Sequence, residues 1–310
     1  MSTSVIDPAE IPRESPERRR AVAGLQDWLP RIVLAPSFAI ILLFVYGFIL
    51  WTIFLSFTRS RMMPVYKLAG FDSYERLFAQ PSWWMALKNI AIFGVLYVFI
   101  CIALGLTLAI LLDQKIRIEG VLRPIYLYPM AVSFIVTGTA WKWFLNPGTG
   151  LEKTMHDWGW TSFHFDWLVN TDMAIYTIVI AGVWQATGFC MAMFLAGLRG
   201  IDGEILKAAQ IDGASTYATY RRIVIPALRP IFLSAFIVLT HMAIKSYDLV
   251  IALTGGGPGN ATELPSTFMY SYTFTRDQMS VGAASAVIML MTVAAIIVPY
   301  LYSELRERKQ

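Results

Sequence analysis

Arg199-Gly-Ile-Asp-Gly-Glu-Ile-Leu-Lys-Ala-Ala-Gln-Ile-Asp-Gly-Ala-Ser-Thr-Tyr-Ala218, running on to Arg221-Arg-Ile-Val-Ile-Pro226, is a mixed polar stretch set inside an otherwise apolar chain. Glu204, Lys207 and Gln210 recur every three residues and so share one face of a short helix, with Ile205, Leu206, Ala208, Ala209 and Ile211 filling the remainder. Glu204 and Lys207 stand at i,i+3, where a pair is worth ~0.2–0.5 kcal/mol. Gly213 supplies a left-handed or tight turn at no Cβ cost. Ser215 can then cap a second helix carrying Tyr217, Tyr220, Arg221 and Arg222. Helix, glycine turn and helix predict a compact knob that can push or be pushed without melting.

On both sides of this knob the chain is apolar enough to enter lipid. Of 310 residues, 56% are apolar and 15% charged, and mean hydropathy is +0.56. Soluble domains carry about a quarter charged residues, and a charge at the bilayer centre costs ~2.5–3.5 kcal/mol on insertion scales. Six stretches reach the roughly 20 residues that cross ~30 Å of hydrocarbon. They lie near 32–57, 86–112, 123–145, 173–198, 226–253 and 280–303. The third is interrupted by Pro124, Pro129 and Gly138, so a neighbouring helix or water must satisfy a freed carbonyl. The fifth opens with Pro226 and Pro230, which suit a first helical turn.

The sides of the membrane follow from lysine and arginine. With the N-terminus inside, 16 of the 25 fall in cytoplasmic segments and 8 outside, with Lys245 within a span, so both termini are expected in the cytoplasm. Residues 1–30, with Pro8, Pro12, Pro16 and Arg18 to Arg20, read as a cytoplasmic tail, as do residues 305–310. A cleaved signal peptide does not fit, because the apolar run that follows is too long and no small-residue cleavage site succeeds it. The outer loops carry Trp83, Trp84, Trp158, Trp160 and Trp167, expected as headgroup anchors. No basic block with interleaved aromatics suggests nucleic acid. Cys101 and Cys190 lie in apolar stretches without metal-ligand spacing and read as small core residues.

Lys207-Ala208-Ala209, three residues, Gly213, nine residues and Ile223-Val224-Ile225-Pro226 together resemble the cytoplasmic signature of binding-protein-dependent ABC importer permeases. That signature, the EAA motif, has the form Glu-Ala-Ala, three residues, Gly, nine residues, Ile-x-Leu-Pro. Here Lys207 replaces the glutamate and Ile225 the leucine, and Glu204, one turn earlier, offers a substitute charge. Leu253-Thr-Gly-Gly-Gly-Pro258-Gly-Asn-Ala-Thr-Glu263 is similar to the loop after the equivalent span in the sugar branch, of maltose and glucose permease type.

The resemblance implies an all-α membrane protein of type I ABC importer permease fold: six spans over residues 31–304, termini cytoplasmic, and a coupling segment 199–225 between spans four and five. It further implies the multi-pass inner membrane of a bacterial cell and import of a small sugar, glucose or another mono- or disaccharide. The implied partners are membrane lipid, a second permease, two ATPase subunits and an extracytoplasmic sugar-binding protein. Mg-ATP would be bound and hydrolysed by the partner ATPase, leaving this chain non-catalytic and without a cofactor. Contact with the ATPase falls, by the resemblance, to Glu204, Lys207, Ala208, Ala209, Asp212, Gly213 and Ala214.

No hydrolytic set is visible. His156, His164 and His241 are scattered, without metal-ligand spacing. The run Gly255–Gly259 lacks the lysine and Ser/Thr of a phosphate-binding loop. Polar groups within spans are the candidates for a substrate pathway: Gln185 in the fourth, and His241, Lys245, Tyr247 and Asp248 in the fifth. His241, Lys245 and Asp248 fall on one helical stripe, where Lys245 and Asp248 are expected to pair or else to snorkel to the outer interface. Trp184, Thr187, Trp141 and Trp143 read as packing or anchoring residues. A secondary transporter driven by an ion gradient is the alternative. It would want two related halves with buried carboxylates, and only Asp248 stands well inside a span.

Overall fold

The computed structural model describes residues 31–114 and 118–307; side chains at 300, 301 and 303–307 are not described. The expected tail 1–30, Lys115, Arg117, Arg308 and Lys309 lie outside the described residues. Helices account for the regular structure, and the one β-type contact among described residues is an isolated bridge between Thr58 and Leu68. The chain divides into two units, Met1–Phe54 and Leu55–Gln310. The described part of the first is the apolar helix α1 (Arg31–Ser56), which widens to a π-turn at Leu42–Tyr46 and ends two residues into the second unit.

In the second unit, α2 (Asp72–Phe78) leads into α3 (Pro81–Asp113), then α4 (Glu119–Ala131), α5 (Phe134–Phe144), α6 (Leu151–Asp157) and α7 (Ala174–Arg199). Next come α8 (Gly203–Ile211), α9 (Thr216–Ala227), α10 (Arg229–Ile244), α11 (Asp248–Leu253), α12 (Pro265–Tyr270) and α13 (Met279–Glu307). α1, α3, α7 and the Met279–Pro299 part of α13 are long and apolar enough to cross a membrane. The bent pairs α4–α5 and α9–α10 bring the total to six if each pair is one span.

In lipid no hydrophobic force draws two apolar helices together, so packing depends on close approach. α3 and α7 achieve it with small residues: a Cβ on Gly105 would lie 2.8 Å from the Cβ of Cys190. Around that contact Phe93, Tyr97, Cys101, Ile178, Met191 and Phe194 are buried in one core. Both cysteines are buried and free, as small core residues. Thr177 and Thr187, polar residues inside α7, donate to the carbonyls of Ala174 and Val183 one turn back, so neither hydroxyl enters the core unpaired.

Two spans are bent, the third where interruption by proline was expected and the fifth where one continuous helix was. The third bends by 99° between α4 and α5, at Val132 and Ser133. Pro129, one turn earlier, leaves an acceptor without its usual amide. The fifth bends by 62° at Leu228, between α9 and α10. Pro230 occupies the first turn of α10 as expected, whereas Pro226 closes α9 instead. α10 stops at Ile244, three residues before α11 begins, so the fifth span does not continue as one helix to residue 253. At the C-terminus α13 runs on to Glu307, so residues 305–307 are helical.

A second, smaller core joins Leu77 of α2, Trp83 and Ala86 of α3, Phe268 of α12, Tyr272, and Val281 and Ala284 of α13. Trp83 is fully buried there, edge-on to Phe268 at 5.1 Å, and is not a headgroup anchor. Trp84, Trp158 and Trp160 are exposed, as anchors would be.

Candidate functional site

The knob read from residues 199–226 is built by local chemistry. Asp202 caps α8, its carboxylate accepting from the Glu204 amide at 2.9 Å. At the other end Gly213 takes φ +76°. The Ala214 amide reaches back to the Ala209 carbonyl at 3.0 Å, and the Gly213 amide to Gln210 at 3.1 Å. This closure satisfies carbonyls that a helix end otherwise leaves bare. Ser215 caps α9, its hydroxyl accepting from the Ala218 amide at 3.3 Å. α9 widens to a π-turn at Tyr220–Val224.

Of the residues assigned to ATPase contact, Ala209 is buried and Ala214 half-buried, while Glu204, Lys207, Ala208, Asp212 and Gly213 are exposed. Glu204 and Lys207 form no ion pair; the pairs among described residues lie elsewhere. Their charges are therefore available to a partner. Around them stand exposed apolar side chains: Ile211 is 85% exposed and Tyr217 71%. Periodicity alone assigned Ile211 to the apolar remainder of the helix.

Arg199, at the end of α7, ties this side of the protein together. Its guanidinium lies 2.5 Å from Glu119 at the start of α4 and 3.9 Å from Asp113 at the end of α3. Three helix ends thus meet one arginine immediately before the knob.

The polar groups of the span interiors fall into separate places. Gln185 is buried, and its Nε2 donates to the Val132 carbonyl at 2.7 Å, at the bend of the third span. Its Nε2 is thereby committed to the backbone, while its Oε1 is buried without a hydrogen-bond partner. The stripe expected of His241, Lys245 and Asp248 does not form, because the helix ends at Ile244 and the i,i+3 relation lapses. Lys245 and Asp248 make no ion pair. His241 lies in the crevice between α10 and α13, beside Ile237, Val293 and Ile297. At the break, the Ser266 hydroxyl donates to the Ser246 carbonyl at 2.6 Å. The rings of Tyr247 and Tyr270 sit 4.8 Å apart, so Tyr270 joins the broken segment; nothing local in sequence marked it. Gly138 lets α5 pass directly over α11, since a Cβ there would lie 2.6 Å from that of Ala252.

The loop after α11 is a closed knot. Thr254 and Thr262 share a hydroxyl hydrogen bond of 2.7 Å, and Thr262 donates to Gly257 O at 3.0 Å. Gly255, Gly256, Gly259 and Asn260 all have positive φ. Asn89, buried in α3, donates through Nδ2 to the carbonyls of Ala261 and Glu263, each at 3.0 Å. Asn89 is a loop-anchoring position that the span assignment passed over, although an amide in so apolar a helix was its signal. Glu263 is buried, and burial holds its carboxyl above the ordinary range against the opposing charge of Arg276.

The histidines are not all scattered. His156 and His164 meet edge to face at 5.9 Å, with Glu152 beside them; eight residues of sequence hid a contact made by the loop's return.

Comparison with known proteins agrees with this geometry. Residues 101–307 match the family described as the binding-protein-dependent transport system inner membrane component. A probable ABC transporter permease of Pyrococcus horikoshii is 41% identical over 278 residues, covering 88% of this chain and 95% of that one. A xylose/arabinose import permease of Haloferax volcanii is 33% identical (87% and 86% covered), and a lactose transport permease of Rhizobium radiobacter 32% (97% and 100%). Among solved structures, a bacterial ABC transporter importing the acidic polysaccharide alginate superimposes with TM-score 0.80 at 19% identity, over 93% of this chain and 99% of that one.

The chain belongs to the inner-membrane permease family of binding-protein-dependent ABC importers. It is a multi-pass, all-helical membrane subunit of type I permease fold, and the ion-gradient alternative finds no support.

Proposed function

We propose that this subunit forms half of the pathway of an ATP-driven importer of a small sugar, in the inner, cytoplasmic membrane of a prokaryotic cell. Its partners on this reading are a second permease, two ATPase subunits that bind Mg-ATP, and an external sugar-binding protein. The observation that carries it is the knob α8–Gly213–α9, capped at Asp202, Gly213 and Ser215, with Ile211 and Tyr217 presented bare. An apolar tip on a rigid stem is suited to seat in a cleft of another protein, and α9 is followed directly by the helix that leads into the span. Closure of two ATPases would move this tip as a rigid body and rock the spans attached to it.

The sugar assignment is supported by relatives named for xylose and arabinose, trehalose and maltose, and lactose. A solved neighbour was captured with a periplasmic protein bearing an alginate pentasaccharide, which supports the binding-protein partner. Within the chain we assign the pathway to the break in the fifth span, at Lys245, Tyr247 and Asp248 with Tyr270 nearby, and His241 further along α10. An interrupted helix frees backbone and polar side chains for hydroxyl groups at membrane depth, and aromatic rings suit sugar faces.

The test is uptake of a labelled panel of mono- and disaccharides by the complete complex in vesicles. Uptake should require ATP, and one sugar class should dominate. Accumulation by this chain alone, without any ATPase, would refute the proposal.

A further inference from the structure

Outside the transport machinery, the loop between α5 and α7 carries a set of side chains that neither coupling nor substrate passage uses. Glu152 and His156 stand one turn apart on α6, on the same face. The chain returns so that His164 Nδ1 lies 3.2 Å from Glu152 Oε1. One ligand atom from each of the three falls within 4.8 Å of the others.

We propose that Glu152, His156 and His164 form a binding site for a divalent transition metal, Zn2+ in the first instance, that fastens α6 to the returning loop. Two details support this beyond proximity. His156 Nε2 lies 2.7 Å from the carbonyl of Phe163, the residue before His164. A carbonyl only accepts, so Nε2 carries the proton and Nδ1 keeps the lone pair that a metal takes. A ring nitrogen donating to a backbone carbonyl is the usual support of a metal-bound histidine. The second detail is Glu152 Oε2, which is buried and has no hydrogen-bond partner. Its acceptor capacity is unspent in a place where that is costly. The neighbouring cation, Lys153, is held by Asp157 at 2.8 Å.

Two imidazoles and a carboxylate suit Zn2+, which takes three protein ligands and a water in tetrahedral array. Contracting the set to bond lengths of about 2.0–2.2 Å falls mainly to His164, whose side chain is 76% exposed and has room to move. The lysine and arginine count puts this loop on the outer face, so external metal would reach it without crossing the membrane.

The experiment uses the complete complex in detergent, with affinity tags removed and metal stripped by chelator. Titration calorimetry with Zn2+ should give one site per copy of this chain, and Zn2+ should raise the thermal midpoint reversibly. Glu152→Gln and His164→Ala should each weaken Zn2+ at least about tenfold. Because His164→Ala also removes the 3.2 Å partner of Glu152, each variant is compared with its own metal-free midpoint, and the Zn2+-dependent rise should be lost in both. Co2+ should show intense visible bands of tetrahedral coordination in the wild type only. Zn2+ binding of equal affinity in wild type and both variants, or no binding in any, overturns the proposal.

Discussion

Gln185 Nε2 donates at 2.7 Å to the carbonyl of Val132, the residue at which the third span turns through 99°. The bend between α4 and α5 needs such a donor, because a carbonyl released inside a bilayer finds no water. α7 comes close enough to α4 to supply it because residue 188 is glycine; a Cβ there would lie 1.8 Å from the Tyr126 carbonyl.

Gln185→Leu keeps the volume and removes the donor. It should lower the thermal midpoint of the purified complex, by the equivalent of about 1–3 kcal/mol for an orphaned buried acceptor. An unchanged midpoint would show that the lost donor is offset, by another partner for the Val132 carbonyl or by removal of the buried, unpartnered Oε1 of Gln185.

Gly213 holds φ +76° between two capped helices. Gly213→Val should cost about 1–2 kcal/mol locally and reorient α9 against α8. Uptake should fall sharply while the spans still assemble, and Gly213→Asn, which tolerates this region better, should lose less. Paired measurements of uptake and complex yield check this.

Ile211 is 85% exposed, so its replacement disturbs little within the chain. Ile211→Asp should leave the midpoint of the isolated subunit within about 0.5 kcal/mol yet weaken ATPase retention on purification. Retention equal to wild type would move the docking surface elsewhere on the knob.

Glu263 sits in the loop held by Asn89, with its carboxyl raised by burial. The folded protein therefore binds this proton more tightly than the unfolded chain does. Stability from this group rises as pH falls through the folded pKa, and is lost above it. Glu263→Gln should raise the thermal midpoint above that pKa, with the gain shrinking as pH is lowered through it. A gain independent of pH would assign the effect to packing instead.

Much of this protein is legible in the order of its residues, and for a local reason. Gly213 and Ser215 act on amides and carbonyls within about five residues, so left-handed turn and cap read directly from order along the chain, whereas the equally local Asp202 cap of α8 went unread. Six apolar stretches likewise follow from composition and length. Relations between distant residues did not read out. Lys245 and Asp248 have helical spacing, but the helix ends at Ile244 and Ser266, twenty residues on, takes the Ser246 carbonyl. Trp83 has an anchor's composition and a core residue's burial, decided by Phe268. Asn89 meets carbonyls 172 and 174 residues away, and Glu152 and His156 meet His164 through a loop's return. Hydropathy says that a side chain leaves water; whether lipid or another helix then covers it, and which carbonyl a buried amide answers, depends on partners that only the packed chain brings within 3 Å.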